Sequence, residues 1–120
     1  MRMVVVLCLV SATCFAGTWP GALVDGKCYD SEERNVGPND TETSVDHDKG
    51  WEIRYCSPKA KTASFEFVRQ ADGQSFRLDS EGNAKAAELV RKIGKKRGFT
   101  VTLTGEISGN TIQVDSVVAR

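Results

Sequence analysis

Phe65 and Phe67 alternate with Glu66, and Phe76 and Leu78 alternate with Arg77. Strict alternation at period two predicts two half-buried strands. Asp72-Gly73 lies between them; both residues tolerate positive φ, so the pair predicts a hairpin turn. From Asn83 to Lys96 the period changes, with Ala86, Leu89, Val90 and Ile93 at the i, i+3, i+4, i+7 spacing of one helical face. Lys95, Lys96 and Arg97 suit the negative end of that helix dipole, and Gly98 is the expected stop. Alternation then resumes. Phe99, Val101, Leu103 and Ile107 face inward, Ser108-Gly109-Asn110 turns the chain, and Ile112, Val114 and Val118 continue the inward set. Gly105 interrupts the first of these strands, where a bend is expected.

Upstream, Ala22 to Tyr29 reads as a strand with Ala22, Val24 and Cys28 on one face and Gly26 as a bulge or bend. Residues 30–50 are almost free of apolar side chains and read as a long polar loop. Loops of that length in compact domains are often binding loops. Trp51 to Cys56 returns the chain to the core, and Pro58 limits any helix there. Five strands with one helix between the third and fourth predict an all-β chain with one helix, an OB-fold-like five-stranded barrel. A ferredoxin-like fold would require a helix directly after the first strand, which residues 30–50 do not predict.

The amino terminus reads as an address. Arg2 precedes an uncharged run from Met3 to Ala16, too short to span a bilayer, which takes about 20 apolar residues. It fits a secretory signal peptide over residues 1–16, leaving a single domain over 17–120 and no membrane span after cleavage. The β-branched Val4 to Val6 would also suit a buried strand, and Cys14 a lipid anchor, but Ser11-Ala12-Thr13 lacks the usual lipidation context. Cleavage would remove Cys8 and Cys14. The remaining pair, Cys28 and Cys56, is expected to form a disulfide in a periplasmic or secreted protein.

Several pieces recur together in a known group: Val24-Asp25 followed by Cys28, Arg54-Tyr55-Cys56-Ser57-Pro58, Gly82-Asn83-Ala84-Lys85-Ala86, and Val101-Thr102-Leu103-Thr104-Gly105. In these the chain resembles small exported bacterial domains, common in acidobacteria, to which no function has been assigned. Its strand order is more distantly similar to the periplasmic bacterial OB-fold family of stress-associated proteins. The resemblance implies an exported OB-fold-like domain and carries no catalytic residue onto this chain.

Charge narrows the chemistry further. Sixteen basic residues balance sixteen acidic ones, whereas a dedicated nucleic-acid binder needs a basic excess. The outward positions of the second and third strands would be Ser64, Glu66, Ser75, Arg77 and Asp79, with no aromatic platform for stacking bases. The single histidine, His47, sits between Asp46 and Asp48 with no nucleophile in a recognisable motif, so no enzyme and no cofactor are expected. Asp46, His47 and Asp48 could ligate a divalent cation, although the calcium-loop pattern fails at Gly50 and Ser57. Asn39-Asp40-Thr41 is a glycosylation triplet that only a eukaryotic secretory route would use. Lys92, Lys95, Lys96 and Arg97 could touch phosphates, or simply match the helix dipole. The expected function is an exported, non-catalytic binding module for an envelope protein or glycan. Its candidate surface comprises Tyr29, Trp51, Tyr55, Glu66 and Arg77, although large aromatics beside a disulfide often pack inward. The alternative is a cation- or stress-responsive periplasmic protein that uses the acidic segment 40–48.

Overall fold

The computed structural model describes residues 14–34, 50–94, 96 and 98–120. Five strands close into an OB-fold-like barrel in the order β1-β2-β3-β5-β4. They are β1 (Cys14–Asp25), β2 (Phe65–Arg69), β3 (Ser75–Leu78), β4 (Thr100–Ser108) and β5 (Thr111–Ala119). Three helical segments accompany them: α1 (Gly26–Arg34), α2 (residues 50–55) and α3 (Ser80–Ile93). All strand pairs are antiparallel except β3 with β5, which are joined through α3 and β4, a connection long enough for a parallel pair.

The inward alternation fills the barrel. Leu23, Phe65, Phe67, Phe76, Phe99, Val101, Leu103 and Ile112 are buried in one cluster, which Ala86 and Val90 of α3 join. Full burial of one such side chain contributes about 1.5–3 kcal/mol. Gly21 has no side chain because none fits: a Cβ there would lie 2.4 Å from the Val68 carbonyl oxygen and 2.6 Å from the Phe67 ring. At Gly105 the register shifts, with Gly105 opposite Val114 and Thr104 opposite Ser116, so Asp115 is the extra residue of a bulge. The bulge reverses the phase of β5. Val117 therefore packs on the core, whereas Val118, expected inward, is exposed.

α3 begins and ends earlier than its apolar period suggests. Asp79 is the N-cap, its Oδ1 accepting from the Gly82 N–H at 2.9 Å and from Val114 N–H at 3.2 Å. The stop is Gly94, at φ 93°, whose N–H donates to the Val90 carbonyl. Gly98 is not the stop; it adopts φ 66° four residues later.

The first connection differs most from expectation. β1 ends at Asp25, and Cys28 and Tyr29 belong to α1 rather than to a strand. The Asp25 carboxylate is the physical reason, because its Oδ1 accepts from the Cys28 N–H at 3.1 Å, three residues on, and so caps a new helix. Residues 30–34 and 50 are accordingly helical, and residues 35–49 of the expected polar loop lie outside the described residues. A helix thus does follow the first strand, yet the sheet closes as a barrel. At its other end β1 starts at Cys14, so the last three residues of the expected leader pair with Ser108, Ile107 and Glu106 of β4.

Asp79→Ala removes both a helix cap and a tie to β5. It should lower stability by about 1–2 kcal/mol, and the melting temperature by about 5–10 °C. Asp115→Ala, at the exposed bulge, should stay within about 0.5 kcal/mol. Equal melting temperatures for the two variants would remove Asp79 from this role.

Candidate functional site

α1 and α2 cover the outer side of β2. Where sequence alternation puts one face of β2 in solvent, Phe65, Glu66, Phe67 and Val68 are all buried. A second small core made of Val24, Tyr29, Cys56 and Val68 lies under the two helices, with Cys28 and Ile53 against it. The disulfide joins Cys28 of α1 to Cys56, just after α2, with their Cα atoms 5.5 Å apart.

The end of α2 is tied down by a short series of bonds. The Asp25 N–H donates to the Cys56 carbonyl at 2.7 Å. The Ser57 hydroxyl donates to the Arg54 carbonyl at 3.0 Å and accepts from the Gly98 N–H at 2.9 Å, joining α2 to the start of β4. Asp25 also accepts from the Thr62 hydroxyl at 2.8 Å, and Thr62 accepts from the Lys59 N–H at 2.9 Å. These bonds anchor the carboxy-terminal end of α2 to β1 and to the start of β4.

α2 displays two aromatic rings. Trp51 and Tyr55, an i, i+4 pair, are 49% and 56% exposed and stack on each other at 4.7 Å with an 11° angle between their planes. Tyr29, the third aromatic of the expected patch, is 1% exposed and packs in the small core. Desolvation, then the charges of Glu33, Glu52 and Glu66, push its phenol above the ordinary range, so it stays neutral. The neighbouring row of α2, Gly50 with Arg54, borders an open groove of about 590 Å³ floored by Gly21, Ala22, Ile53 and Val68. Arg69, Gln70 and Asp72 from the β2–β3 hairpin form one side, and Gly98 and Thr100 the other. None of Arg69, Asp72 or Arg54 figures in the sequence-based surface. A turn aspartate three residues after an arginine was the available signal for the first two.

Glu66 and Arg77 separate from the aromatic pair. Glu66 is not on the surface; α1 lies over it and leaves it 5% exposed. Arg77 stands beside it on β3, in register and exposed. Burial first, then a hydrogen bond and the charge of Asp30, push the Glu66 carboxyl up to about 8, with Glu33 adding and Arg77 opposing. Glu66 and Asp30 share that hydrogen bond. These two, with Lys27, Arg77 and Asn83, line a smaller cavity of about 250 Å³.

A third groove, about 540 Å³, runs between the first half of β1 and β3, beside Trp19 and Phe76. Its wall includes Ala16, inside the expected leader, and it holds no pair of exposed aromatics. Asp46, His47 and Asp48 lie outside the described residues; among the described residues no group of three or more is placed to hold a metal ion. Among them, too, no helix is long and apolar enough to cross a membrane. The disulfide suits an oxidising compartment.

The chain matches no family model, and no curated protein or solved structure matches it. Fold and site together define an OB-fold-like barrel whose first connection is a disulfide-clipped pair of helices.

Two outcomes follow from this geometry. The bridge closes a segment with a sequence separation of 28, worth about 3.5 kcal/mol in the chain-entropy account, out of a typical total of about 5–15 kcal/mol. Reduction should therefore release α1 and α2 first in hydrogen exchange, while α3 and the β4–β5 hairpin stay protected. Uniform loss of protection would contradict the clip. Glu66 has a folded value of about 8 against an ordinary 4.5, so folding favours its protonated form. The stability it confers is complete below about pH 4.5 and is lost as pH rises through 8. The melting temperature should fall between pH 5 and 8.5, and Glu66→Gln should flatten that fall. A Gln variant with the native slope would assign the titration elsewhere.

Proposed function

We propose that this protein is an exported, non-catalytic binding module that engages a partner of the cell envelope through the α2 face. The observation that carries the reading is the stacked Trp51–Tyr55 pair, exposed on a disulfide-anchored helix beside an apolar-floored groove. Two large aromatics held in water cost solvation that packing inward would relieve, and Trp, Tyr and Arg are the residues that dominate protein interfaces. OB-folds commonly use the connection between their first two strands for binding, and here that connection carries α1 and α2. The uncharged run to Ala16, the disulfide and the resemblance to exported acidobacterial domains support a periplasmic or secreted location.

A photo-crosslinking residue in place of Trp51 tests this in envelope fractions, with the same residue in place of exposed Arg91 on α3 as control. Discrete adducts should form from position 51 and not from 91. Alanine at Trp51 and Tyr55 together should lower recovery of the crosslinked partner at least about tenfold, while the melting temperature stays within a few degrees. Equal adducts from both positions would rule out the α2 face.

A further inference from the structure

Among the described residues, the charges that line the α2 groove are not balanced. Asp72, the one carboxylate among the described residues that line it, is already engaged: Arg69 Nε donates to Asp72 Oδ1 at 3.0 Å and Nη2 to Oδ2 at 2.7 Å, lowering the Asp72 carboxyl to about 2. Arg54 has no such partner; among the described residues it makes no ion pair or side-chain hydrogen bond. Its side chain runs beside two glycines of the groove: a Cβ on Gly98 would lie 3.8 Å from Arg54 Cγ, and one on Gly50 would lie 3.6 Å from Nη1, both ordinary contacts. A second cation, Arg120, reaches the same rim, its Nη1 donating to Gln70 Oε1 at 3.4 Å. Among the described residues, Asp30, Glu33 and Glu52 lie on the other side of the small core, around Tyr29 and Glu66. Carboxylates among the described residues therefore gather towards α1, and an unpaired guanidinium stands at the groove.

The floor adds shape to that charge. Half-buried Ile53, with the edges of the buried Ala22 and Val68, makes the aliphatic floor of this space of about 590 Å³, room for a few side chains. A sugar would offer such a floor little, and it could stack only on the outer faces of Trp51 and Tyr55, since their inner faces cover each other.

Resting on the reading that α2 is the binding face, we propose that the partner presents an extended peptide segment in which an acidic residue adjoins a branched aliphatic one. Arg54 takes the carboxylate in a bidentate pair, the aliphatic side chain enters the floor, and the Trp51–Tyr55 stack covers the flank. The negative α1 side repels the same peptide and so sets its direction of approach.

The test uses the full exported protein with its disulfide intact, selected against a displayed library of random nonapeptides. Recovered sequences should be enriched in Asp or Glu beside Leu, Ile or Val. A synthetic peptide of that consensus should bind, by fluorescence anisotropy, at least about tenfold tighter than its Asp→Asn or Glu→Gln counterpart. Arg54→Gln should weaken the acidic peptide by a similar factor and leave the amide peptide unchanged, the signature of direct coupling; Arg91→Gln should change neither. Independent, additive losses, or recovered peptides without acidic bias, would overturn the proposal. So would binding of phosphatidylglycerol vesicles or uronate oligosaccharides in place of peptide. In those cases crosslinking from position 51 would still report whether α2 is the binding face, so the two ideas fail separately.

Discussion

A barrel strand can be buried on both faces only if apolar surface is held against its outer side, and in this chain the Cys28–Cys56 bridge holds it there. The small core of Val24, Tyr29, Cys56 and Val68 has too few members to order two short helices unaided. The disulfide and the Asp25 bonds make that core sufficient by limiting how far the connection can depart from β2. The buried Glu66, the placement of α2 and the groove beside it all depend on this closure. Stability and site geometry therefore share one source.

Much of the barrel was legible because its residues obey simple periods. The β2–β3 hairpin, the apolar face of α3 and the β4–β5 hairpin follow from Phe65, Phe67, Phe76, Ala86, Val90 and Val101. The bulge marked by Gly105 was expected as a bend, but a period-two reading carried straight through it misplaces Val118. α1 was hidden for a different reason. It has no apolar stripe, and it folds because Asp25 caps it and Cys28 is bonded across to Cys56. Neither device has a helical period. A chain that alternates Phe65-Glu66-Phe67 assigns Glu66 to solvent, and only the tertiary cover of α1 reverses that assignment.

The candidate site was partly legible on the same terms. Trp51 and Tyr55 were visible as large aromatics flanking a polar segment, but their spacing acquires meaning only once residues 50–55 are helical and the two rings become i, i+4 neighbours. Tyr29 carries the same residue type and has the opposite fate, packed beneath rather than displayed. The difference is position on the clip: Tyr29 points from α1 towards Val68, whereas Trp51 and Tyr55 occupy the far side of α2. The groove itself is built from backbone-rich positions, Gly21, Gly50, Gly73 and Gly98. A scan for reactive or bulky side chains passes over these.

The pairing of β1 with β4 also sets an order of events for a chain delivered amino end first. Thr18 and Thr104 share a hydrogen bond of 3.0 Å across 86 positions, so the barrel closes only after nearly the whole polypeptide has emerged. Cys28 and Cys56 are both free to meet long before that. The clip can thus be oxidised while β1 is still a loose strand, so that the two helical segments are already linked when β4 arrives to complete the sheet. Contacts so distant in sequence slow folding, and an early covalent loop shortens the search that remains. In this architecture the covalent step can precede the topological one.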